Sequence, residues 1–581
     1  MVKTSWISAV VLLAAAGGAA APDEAPNVFE SPAPATPAGE LDRIVFAKLS
    51  SLGIQPVLCS DAVFVRRAYL EVIGTLPTAS EAREFIQDPD TKNKRRKLID
   101  RLLERDEFAD YWAMKWGDVL RIKAEFPVNL WPNAAQAYHR WVRSSIAENK
   151  PYDKFVREML TSSGSNFRVG PVNFYRAVQN KTPEGIATAV ALTFMGSRAE
   201  SWPKDRLAGM TVFFSQIGYK PTREWKEEHV FWDPLHISAL ADKGAPGQAA
   251  DKAPPAAAAL PAVPGPQTAV FPDGAKIQLP PDRDPREVFA DWLISPKNPW
   301  FARSIANRVW AWLLGRGIVH EPDDIREDNP PGNPELLAYL EKELVASRYD
   351  LKHLYRLILN SNVYQFSSMP RFNTPQAEAN FASYSLRRLD AEVLIDAINK
   401  VTGASDLYTS PIPEPFTYIP NDMPAIAIAD GSITSPFLAL FGRSARATGM
   451  ENERDNKPVP AQWLHMLNSS HIQNKLAQGP KLKAIFDSGR KPDEIVEELY
   501  LTILSRFPTA DEVKAAEEYG IPAGAGKAVQ VAQAGKAAKS GKSAKSAKSP
   551  QPAKRAAVRR RDDWVDIAWA LINSTEFLYR H

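Results

Sequence analysis

Two stretches of this 581-residue chain cannot bury a hydrophobic core, and they constrain how the rest can fold. Residues 244–266 are rich in Ala, Pro and Gly, and residues 522–560 are rich in Ala, Lys and Ser and strongly basic. Segments of this composition gain too little free energy from apolar burial to offset the conformational entropy that they would lose on ordering. We therefore expect a domain over 39–241, a linker over 242–270, and a second domain over 271–581 with a disordered basic insertion at 522–560.

The beginning of the chain has the pattern of a secretory signal peptide. Lys3 supplies a positive charge, an apolar run extends from Trp6 to about Ala16, and small residues follow. This pattern predicts a signal peptide over 1–21, a flexible Pro/Ala-rich lead-in over 22–38, and an extracytoplasmic location, either periplasmic or secreted. No later stretch is long and apolar enough for a membrane helix, so we expect no transmembrane segment after cleavage.

Charge and cysteine content exclude several classes of protein. The net charge is only +3, so no global field favours nucleic acid. The basic insertion at 522–560 is either a solvated spacer or a contact for an anionic polysaccharide or lipid head group; it lacks the aromatic residues that stack on bases. Cys59 is the sole cysteine, so it cannot form an internal disulfide or a multi-cysteine metal site.

Helix signals dominate the two ordered regions. Apolar residues recur at helical spacing, and Gly315 and Asn333 stand where a helix would end and the next would begin. Strand-like runs are few and short, at 276–279, 425–429 and 417–419. The sequence therefore predicts a mainly α fold, with two packed helical domains and minor short β elements.

A capping-box pattern occurs near each end of the ordered chain. Thr78 and Glu81 form one box, and Thr509 and Glu512 form the other. The match extends upstream and downstream through these pairs: Tyr69 and Tyr500, Ile73 and Leu504, Leu102 and Leu571, Glu107 and Glu576, Phe108 and Phe577. Two explanations stay open, an internal duplication interrupted by the basic insertion, or the general similarity of Leu-rich helices that end in an aromatic residue.

One Trp-rich helix and the loop after it carry a dense set of charged and amide side chains. The candidate polar pocket consists of Arg303, Asn307, Trp310, Asp323, Asp324, Arg326 and Asn329. Arginine forks and an aromatic ring are suited to binding an anion or a sugar. The alternative is a salt-bridged connection that only stabilises a Pro-rich loop.

No other motif predicts a reaction. The chain contains no G-x-S-x-G, H-E-x-x-H or P-loop pattern. His465 and His471 are six residues apart, which is not a same-face helical spacing, so we do not expect them to share a metal. His320, near Asp323 and Asp324, is more simply a surface histidine than a cation ligand. We therefore expect no metal and no cofactor.

Several segments resemble an uncharacterised planctomycete family, the cytochrome-associated tandem-domain family. The segments that resemble its cytochrome-like N-terminal domain are 58–78, 111–113 and 150–156. The segments that resemble its planctomycete-specific C-terminal domain are 298–319, 349–352, 361–365, 387–392 and 441–443. Both domains are of unknown function, so the resemblance implies secretion and, in many members, haem, but no reaction.

This chain departs from the family at two places. Members commonly carry C-x-x-C-H, the pattern of covalent haem attachment, where residues 197–205 here contain neither Cys nor His. Members also often carry a Cys-x-Cys pair after the Phe-Gly-Arg element, where residues 446–454 here again lack cysteine. The joint loss is expected if both features serve one redox or metal site, and we therefore expect a member that has lost its haem.

The sequence leaves two functions open. The first is a non-catalytic extracytoplasmic binding or assembly protein that works with a protein partner. The second is an enzyme or binding protein that acts on complex polysaccharides, sulfated ones included.

Overall fold

The computed structural model describes residues 27–236, 267–519 and 561–581. The predicted signal peptide, most of the predicted linker, and the predicted basic insertion lie outside these residues. The described part is mainly helical with a few short strands, which confirms the predicted fold class. Within it, none of the helices combines the length and the apolar character needed to cross a lipid bilayer.

The first region consists of helices with three short strands inserted near its start and middle and a hairpin at its end. The helices are α1 Glu40–Ser51, α2 Asp61–Val72, α3 Ala79–Gln87, α4 Lys94–Leu103, α5 Asp106–Val119, α6 Pro132–Ala147, α7 Tyr152–Thr161, α8 Asn173–Ala177, α9 Pro183–Met195 and α10 Lys204–Thr211. The strands are β1 Glu30–Pro34, β2 Val57–Cys59, β3 Gly164–Ser165, β4 Ile217–Pro221 and β5 Glu228–Trp232. Strand β5 pairs antiparallel with both β3 and β4.

The second region is also helical and ends on the helices after the basic insertion. The helices are α11 Pro285–Leu293, α12 Phe301–Leu314, α13 Pro334–Ala346, α14 Leu351–Leu359, α15 Pro375–Ala379, α16 Ala391–Thr402, α17 Pro436–Leu440, α18 Pro460–Asn468, α19 Ser470–Gln478, α20 Pro480–Phe486, α21 Pro492–Ile503, α22 Ala510–Glu518, α23 Arg561–Ile572 and α24 Thr575–Leu578. The strands are β6 Thr268–Val270, β7 Lys276–Gln278, β8 Arg387–Arg388 and β9 Tyr579–Arg580.

Both regions contribute to one large hydrophobic core. The ring of Trp112 lies 5.4 Å from that of Trp312 and 4.4 Å from that of Tyr355, measured between centroids. Buried aromatic pairs of this kind add stability beyond the area that they remove from water. The two regions are therefore packed together through the described part of the chain.

Two segments predicted to be irregular contain strands. Strand β1 lies in the predicted flexible lead-in and pairs antiparallel with β2, and β6 lies in the predicted linker and pairs antiparallel with β7. Phe271, just after β6, stacks on Phe213 with ring centroids 4.7 Å apart. Strand β1 could not be predicted from local composition, because its partner β2 lies more than 20 residues away, and β6 was missed because the prediction placed its end of the β6–β7 hairpin in the linker.

The predicted strands had different outcomes. Residues 276–279 contain β7, as predicted. Residues 425–429 were wrongly predicted as a strand, since Ala425–Ala427 form a 3-10 turn, and residues 417–419 are not a strand either. The 3-10 turn forms because the backbone amides of Ala425 and Ile426 both donate to the carboxylate of Asp396, which fixes the chain in a bend.

The two capping-box units correspond helix by helix. Helices α2 and α21 have equal lengths, as do α3 and α22, and both capping boxes are formed. Gly74 and Ser505, at equivalent positions in the connecting turns, both have positive φ, 64° and 61°. A positive φ is unusual for serine, so a shared turn geometry explains it better than the local sequence does. Of the two explanations left open by the sequence, these correspondences favour the internal duplication.

Candidate functional site

The two places where the chain departs from the family lie side by side. Helix α9 ends at Gly196, whose left-handed backbone (φ 59°) turns the chain toward the loop at 320–325, and the Gly196 carbonyl accepts from the Ile325 amide. Glu321 on that loop then joins the two stretches. Its Oε2 accepts from Arg198 Nη2 at 2.9 Å and from Asn452 Nδ2 at 3.2 Å.

Asp323 forms the buried base of this junction. One carboxylate oxygen accepts from Arg308 Nη2 at 2.6 Å, and the other accepts from the Glu451 amide at 2.6 Å. Arg308 also donates to the carbonyls of Leu192 and Thr193, in the last turn of α9. Although burial lowers the pKa of Arg308, Asp323 raises it above its ordinary value, so the guanidinium stays charged. We call Arg198, Arg308, Glu321, Asp323, Glu451 and Asn452 the junction.

The α12 members of the predicted pocket have separate structural roles. Arg303 Nε pairs with Glu341 Oε1 at 2.8 Å at the surface. Asn307 is fully buried, and its amide both donates to and accepts from the backbone of Val319 at 2.9 Å. Trp310 is fully buried against Phe381. Asn307 thus fixes α12 to the loop that follows it, whereas Arg303 connects α12 to α13 and Trp310 packs α12 against the segment that contains Phe381.

The loop members of the predicted pocket contact one another at the surface. Arg326 lies 3.2 Å from Asp324 and 3.4 Å from Asp328. Asn329 donates to the carbonyls of His320 and Asp324, which closes the loop. Asp323 points away from this group into the junction. The structure therefore divides the seven residues among α12, the exposed loop and the junction, and among the described residues no aromatic ring lies over the guanidinium of Arg326.

A second buried cluster joins the two regions through charged residues, and we call it the ion network. Asp118 of α5 accepts from Arg446 Nε at 3.0 Å and from Arg454 Nη2 at 2.6 Å. Glu392 accepts from Arg454 Nη1 at 2.6 Å and from Arg443 Nε at 3.1 Å. Each carboxylate is thus matched by two guanidinium groups.

Asp390 completes the ion network at the start of α16. Its Oδ2 accepts from Arg580 Nη2 at 2.7 Å and from Lys115 Nζ at 2.8 Å. Burial alone would raise the pKa of Asp390, but the charges of Arg580 and Lys115 hold it well below its usual range. A carboxylate with so low a pKa is a poor proton acceptor. The sequence did not reveal this cluster as a site, although residues 387–392 and 441–443 were among the segments that carry the family resemblance.

A histidine pair was also missed, because the chain between its members is not one helix. Ser469 ends α18 and caps α19, and the bend brings His465 Nε2 to 3.2 Å from His471 Nδ1. His471 Nε2 lies 2.8 Å from Asp406 Oδ1. The hydrogen bond from His471 Nε2–H to Asp406 fixes the orientation of the His471 ring and directs its Nδ1 toward His465. The capping residue Ser469 was the sequence signal for this break.

Helix α18 carries an apolar face that its neighbours leave exposed. Of its residues only Gln462 and Met466 are buried. The exposed members are Val459 just before it (41 %), Trp463 (41 %), Leu464 (60 %) and Leu467 (36 %). Between Lys457 and Lys475 the chain carries no Asp, Glu, Lys or Arg. Clustered exposed apolar side chains of this kind mark interaction surfaces.

Comparison with known families identifies two domains. Residues 40–200 match PSCyt2, a protein of unknown function (DUF1549), and residues 285–520 match PSD1, a protein of unknown function (DUF1553). The chain therefore carries the planctomycete cytochrome-associated pair of domains in tandem. No curated protein and no solved structure matches it.

Proposed function

We propose that this tandem-domain protein is an extracytoplasmic binding or assembly protein that performs no catalysis and carries no haem. The observation that carries the proposal is the junction. There the two stretches that hold cysteines in the resembling family meet at Glu321, and in this chain they are joined by hydrogen bonds from Arg198 and Asn452. Hydrogen bonds that hold the fold together therefore lie where the resemblance to the family implies a redox site.

The donor set at the junction does not fit a covalently attached haem. Attachment through C-x-x-C-H needs two thiols and an adjacent histidine. This sequence has one cysteine, and Cys59 is buried at the end of β2. We therefore derive no redox step for this chain.

The electrostatics of the ion network favour a structural role over catalysis. General bases need a pKa near the working pH and access to a substrate proton. Asp118, Asp390 and Glu392 are buried, each is held by two cations, and the pKa of each lies below its ordinary value. Such a network fixes the relative position of the two regions and leaves none of these carboxylates free to accept a proton.

The apolar face of α18 is the surface that best suits a partner. An uncharged stretch of this kind would exclude water against an apolar, uncharged segment of another protein, and a charged partner would lose its hydration without compensation. We therefore assign the partner site to Val459, Trp463, Leu464 and Leu467. The predicted contact of the basic insertion with anionic polysaccharide lies outside the described residues and stays a prediction.

The partner assignment is tested by isolating the protein from its own envelope fraction, with mass spectrometry at low and moderate salt. We expect a stoichiometric partner that survives moderate salt, because apolar contacts are not screened by ions. Trp463→Ala should lose this partner. The matched control, Trp225→Ala, changes an exposed tryptophan in the turn between β4 and β5 and should keep it. A partner kept by Trp463→Ala, or a monomer that turns over a substrate, would overturn the proposal.

The haem and location assignments have their own measurements. The purified protein should give no pyridine haemochrome spectrum, and its N-terminal sequence should begin near residue 22 if the signal peptide is removed. A haemochrome signal at one equivalent per chain would overturn the first assignment. An intact residue 1 in protein from the envelope fraction would overturn the second.

A further inference from the structure

A cavity of about 360 Å³ lies at the C-terminal end of α12, and no residue of α18 lines it. It is bounded by the end of α12, by His320, and by the segment from Ser368 to Leu386. Its volume is within the range of small-molecule sites. Neither the family matches nor the proposed partner site accounts for it.

The cavity wall carries polar side chains that no described residue satisfies. These are the hydroxyls of Ser368, Ser383 and Ser385 and the amide of Asn373, for which the described part of the chain provides no hydrogen bond. Asn373 and Ser385 are exposed and Ser368 and Ser383 are half-buried, so all four groups are open to solvent water and can exchange it for the hydroxyl groups of a ligand.

Apolar side chains also line the cavity. Phe372 and Leu386 are exposed, and Phe381 is buried against Trp310. A lining that combines hydroxyl and amide groups with aromatic rings suits a ring-shaped ligand with polar edges and an apolar face.

The charges of the cavity cancel. Arg316 Nη1 lies 3.3 Å from Glu378 Oε1, so the cation and the carboxylate neutralise each other. Burial and the neighbouring Arg316 lower the pKa of His320, so its imidazole is uncharged at pH 7. An anionic ligand would have to compete with Glu378 for Arg316, so the lining favours a neutral ligand.

The floor of the cavity is held rigid by the protein. The Tyr384 hydroxyl donates to Glu71 and accepts from Arg387 Nη2 at 2.9 Å. The Arg67 guanidinium carbon lies 3.8 Å from the centre of the Tyr384 ring. A floor fixed in this way loses little entropy when a ligand binds.

We propose that this cavity binds a neutral saccharide unit, with Phe372 against the apolar face of the sugar ring and Ser383, Ser385 and Asn373 bonded to its hydroxyls. Arg316 and Glu378 supply a matched donor and acceptor for further hydroxyl groups. The site differs from the polar pocket predicted from the sequence, and the ligand carries no sulfate. It does not rest on the assembly role, because no residue of α18 takes part.

The test is saturation-transfer NMR on the full mature protein with cellobiose, xylobiose and chitobiose, and with dextran sulfate as the anionic probe. We expect transfer to at least one neutral disaccharide. Phe372→Ala should weaken its binding about tenfold, as expected for the loss of a ring contact. Ser385→Trp, which fills the cavity from an exposed position, should abolish binding. The control Phe126→Ala changes an exposed ring outside the cavity and should bind as the wild type does.

Three outcomes would overturn the proposal. They are no transfer to any of the three disaccharides, transfer that is unchanged in both cavity variants, and binding of dextran sulfate alone. None of these outcomes bears on the partner test with Trp463→Ala, so a failure here is distinguishable from a failure of the proposed function.

Discussion

Arg105 and Arg506 make the same contacts in two different parts of the chain. Each guanidinium bridges two glutamates and lies over a tyrosine ring: Glu81, Glu107 and Tyr69 for Arg105, and Glu512, Glu576 and Tyr500 for Arg506. The glutamates and tyrosines are equivalent in the two capping-box units, but the arginines come from different positions. The same arrangement built from different arginine positions indicates that each unit needs a cation at this place.

The two bridges should differ in their effect on stability. The Arg506 side chain is only 6 % exposed, whereas the Arg105 side chain is 28 % exposed. Arg506→Ala leaves Glu512 and Glu576 without their shared cation, and we expect the free energy of unfolding to fall by about 3 kcal/mol. Arg105→Ala should cost about 1 kcal/mol. Urea unfolding of the two variants measures the difference, and equal losses would contradict this account of the bridges.

The ion network should be among the most sensitive parts of the fold. Arg446 is fully buried and donates to Asp118 and to the carbonyls of Ile122 and Ala429. Arg446→Met removes these hydrogen bonds and leaves Asp118 with Arg454 alone, so unfolding should become easier by about 3–5 kcal/mol.

The control for this variant is Arg303→Met, which breaks a surface pair with Glu341. It should cost less than about 1 kcal/mol in the same urea experiment. A large loss for Arg303→Met would show that the predicted pocket residue has a role beyond this surface pair.

Asp396 should make stability fall as the pH rises. Burial raises the pKa of Asp396 to about 7, against 3.8 for an ordinary aspartate. A carboxyl group whose pKa is raised by folding contributes stability that is fully present below about pH 4 and is lost as the pH rises through 7. Relative to the wild type, Asp396→Asn should therefore gain up to roughly 4 kcal/mol between pH 4 and pH 8.

The pH window distinguishes Asp396 from the ion network. Asp390 has a depressed pKa, so its contribution is present above about pH 4 and is lost below it, and Asp390 does not contribute to the slope between pH 4 and pH 8. Urea unfolding at several pH values gives both curves. A constant difference between the wild type and Asp396→Asn across that window would contradict the assignment.

The histidine pair should stabilise the bend between α18 and α19. His471→Ala removes the hydrogen bond to Asp406, whose pKa burial raises but His471 and Lys475 hold below its ordinary value. We expect a loss of about 1.5–3 kcal/mol, the range for hydrogen bonds to charged groups. His353→Ala breaks only an exposed contact of 3.6 Å with Glu343 and should have little effect. Thermal unfolding compares the two variants, and similar shifts in Tm would contradict the stabilising role of the hydrogen bond between His471 and Asp406.

The sequence predicted the features that depend on neighbouring residues. Gly315 ends α12 in a left-handed conformation and Asn333 caps α13, as expected, because caps and helix ends are local interactions. The capping boxes at Thr78 and Thr509 were predicted for the same reason.

Contacts between distant segments could not be predicted. Asp118 and Arg446 were unremarkable residues on separate helices and loops, and their pairing depends on how α5 packs against the second region. A single continuous helix was predicted through His465 and His471, which would place them on different faces. Ser469 interrupts that helix and allows the two imidazoles to meet. Asn307 and Trp310 of the predicted pocket lie on one helix, α12, as predicted. Both are fully buried, and this burial, which the sequence did not reveal, gives them structural roles.

The partner site on α18 is tested most directly by a photo-crosslinking amino acid placed at residue 464 in cells that express the native protein. Our account predicts one dominant crosslinked product, a different protein joined at this position, and no such product when the same group replaces Trp225. Products that contain only a second copy of this chain, or equal crosslinking from both positions, would contradict the assignment of α18 as the surface for a specific partner.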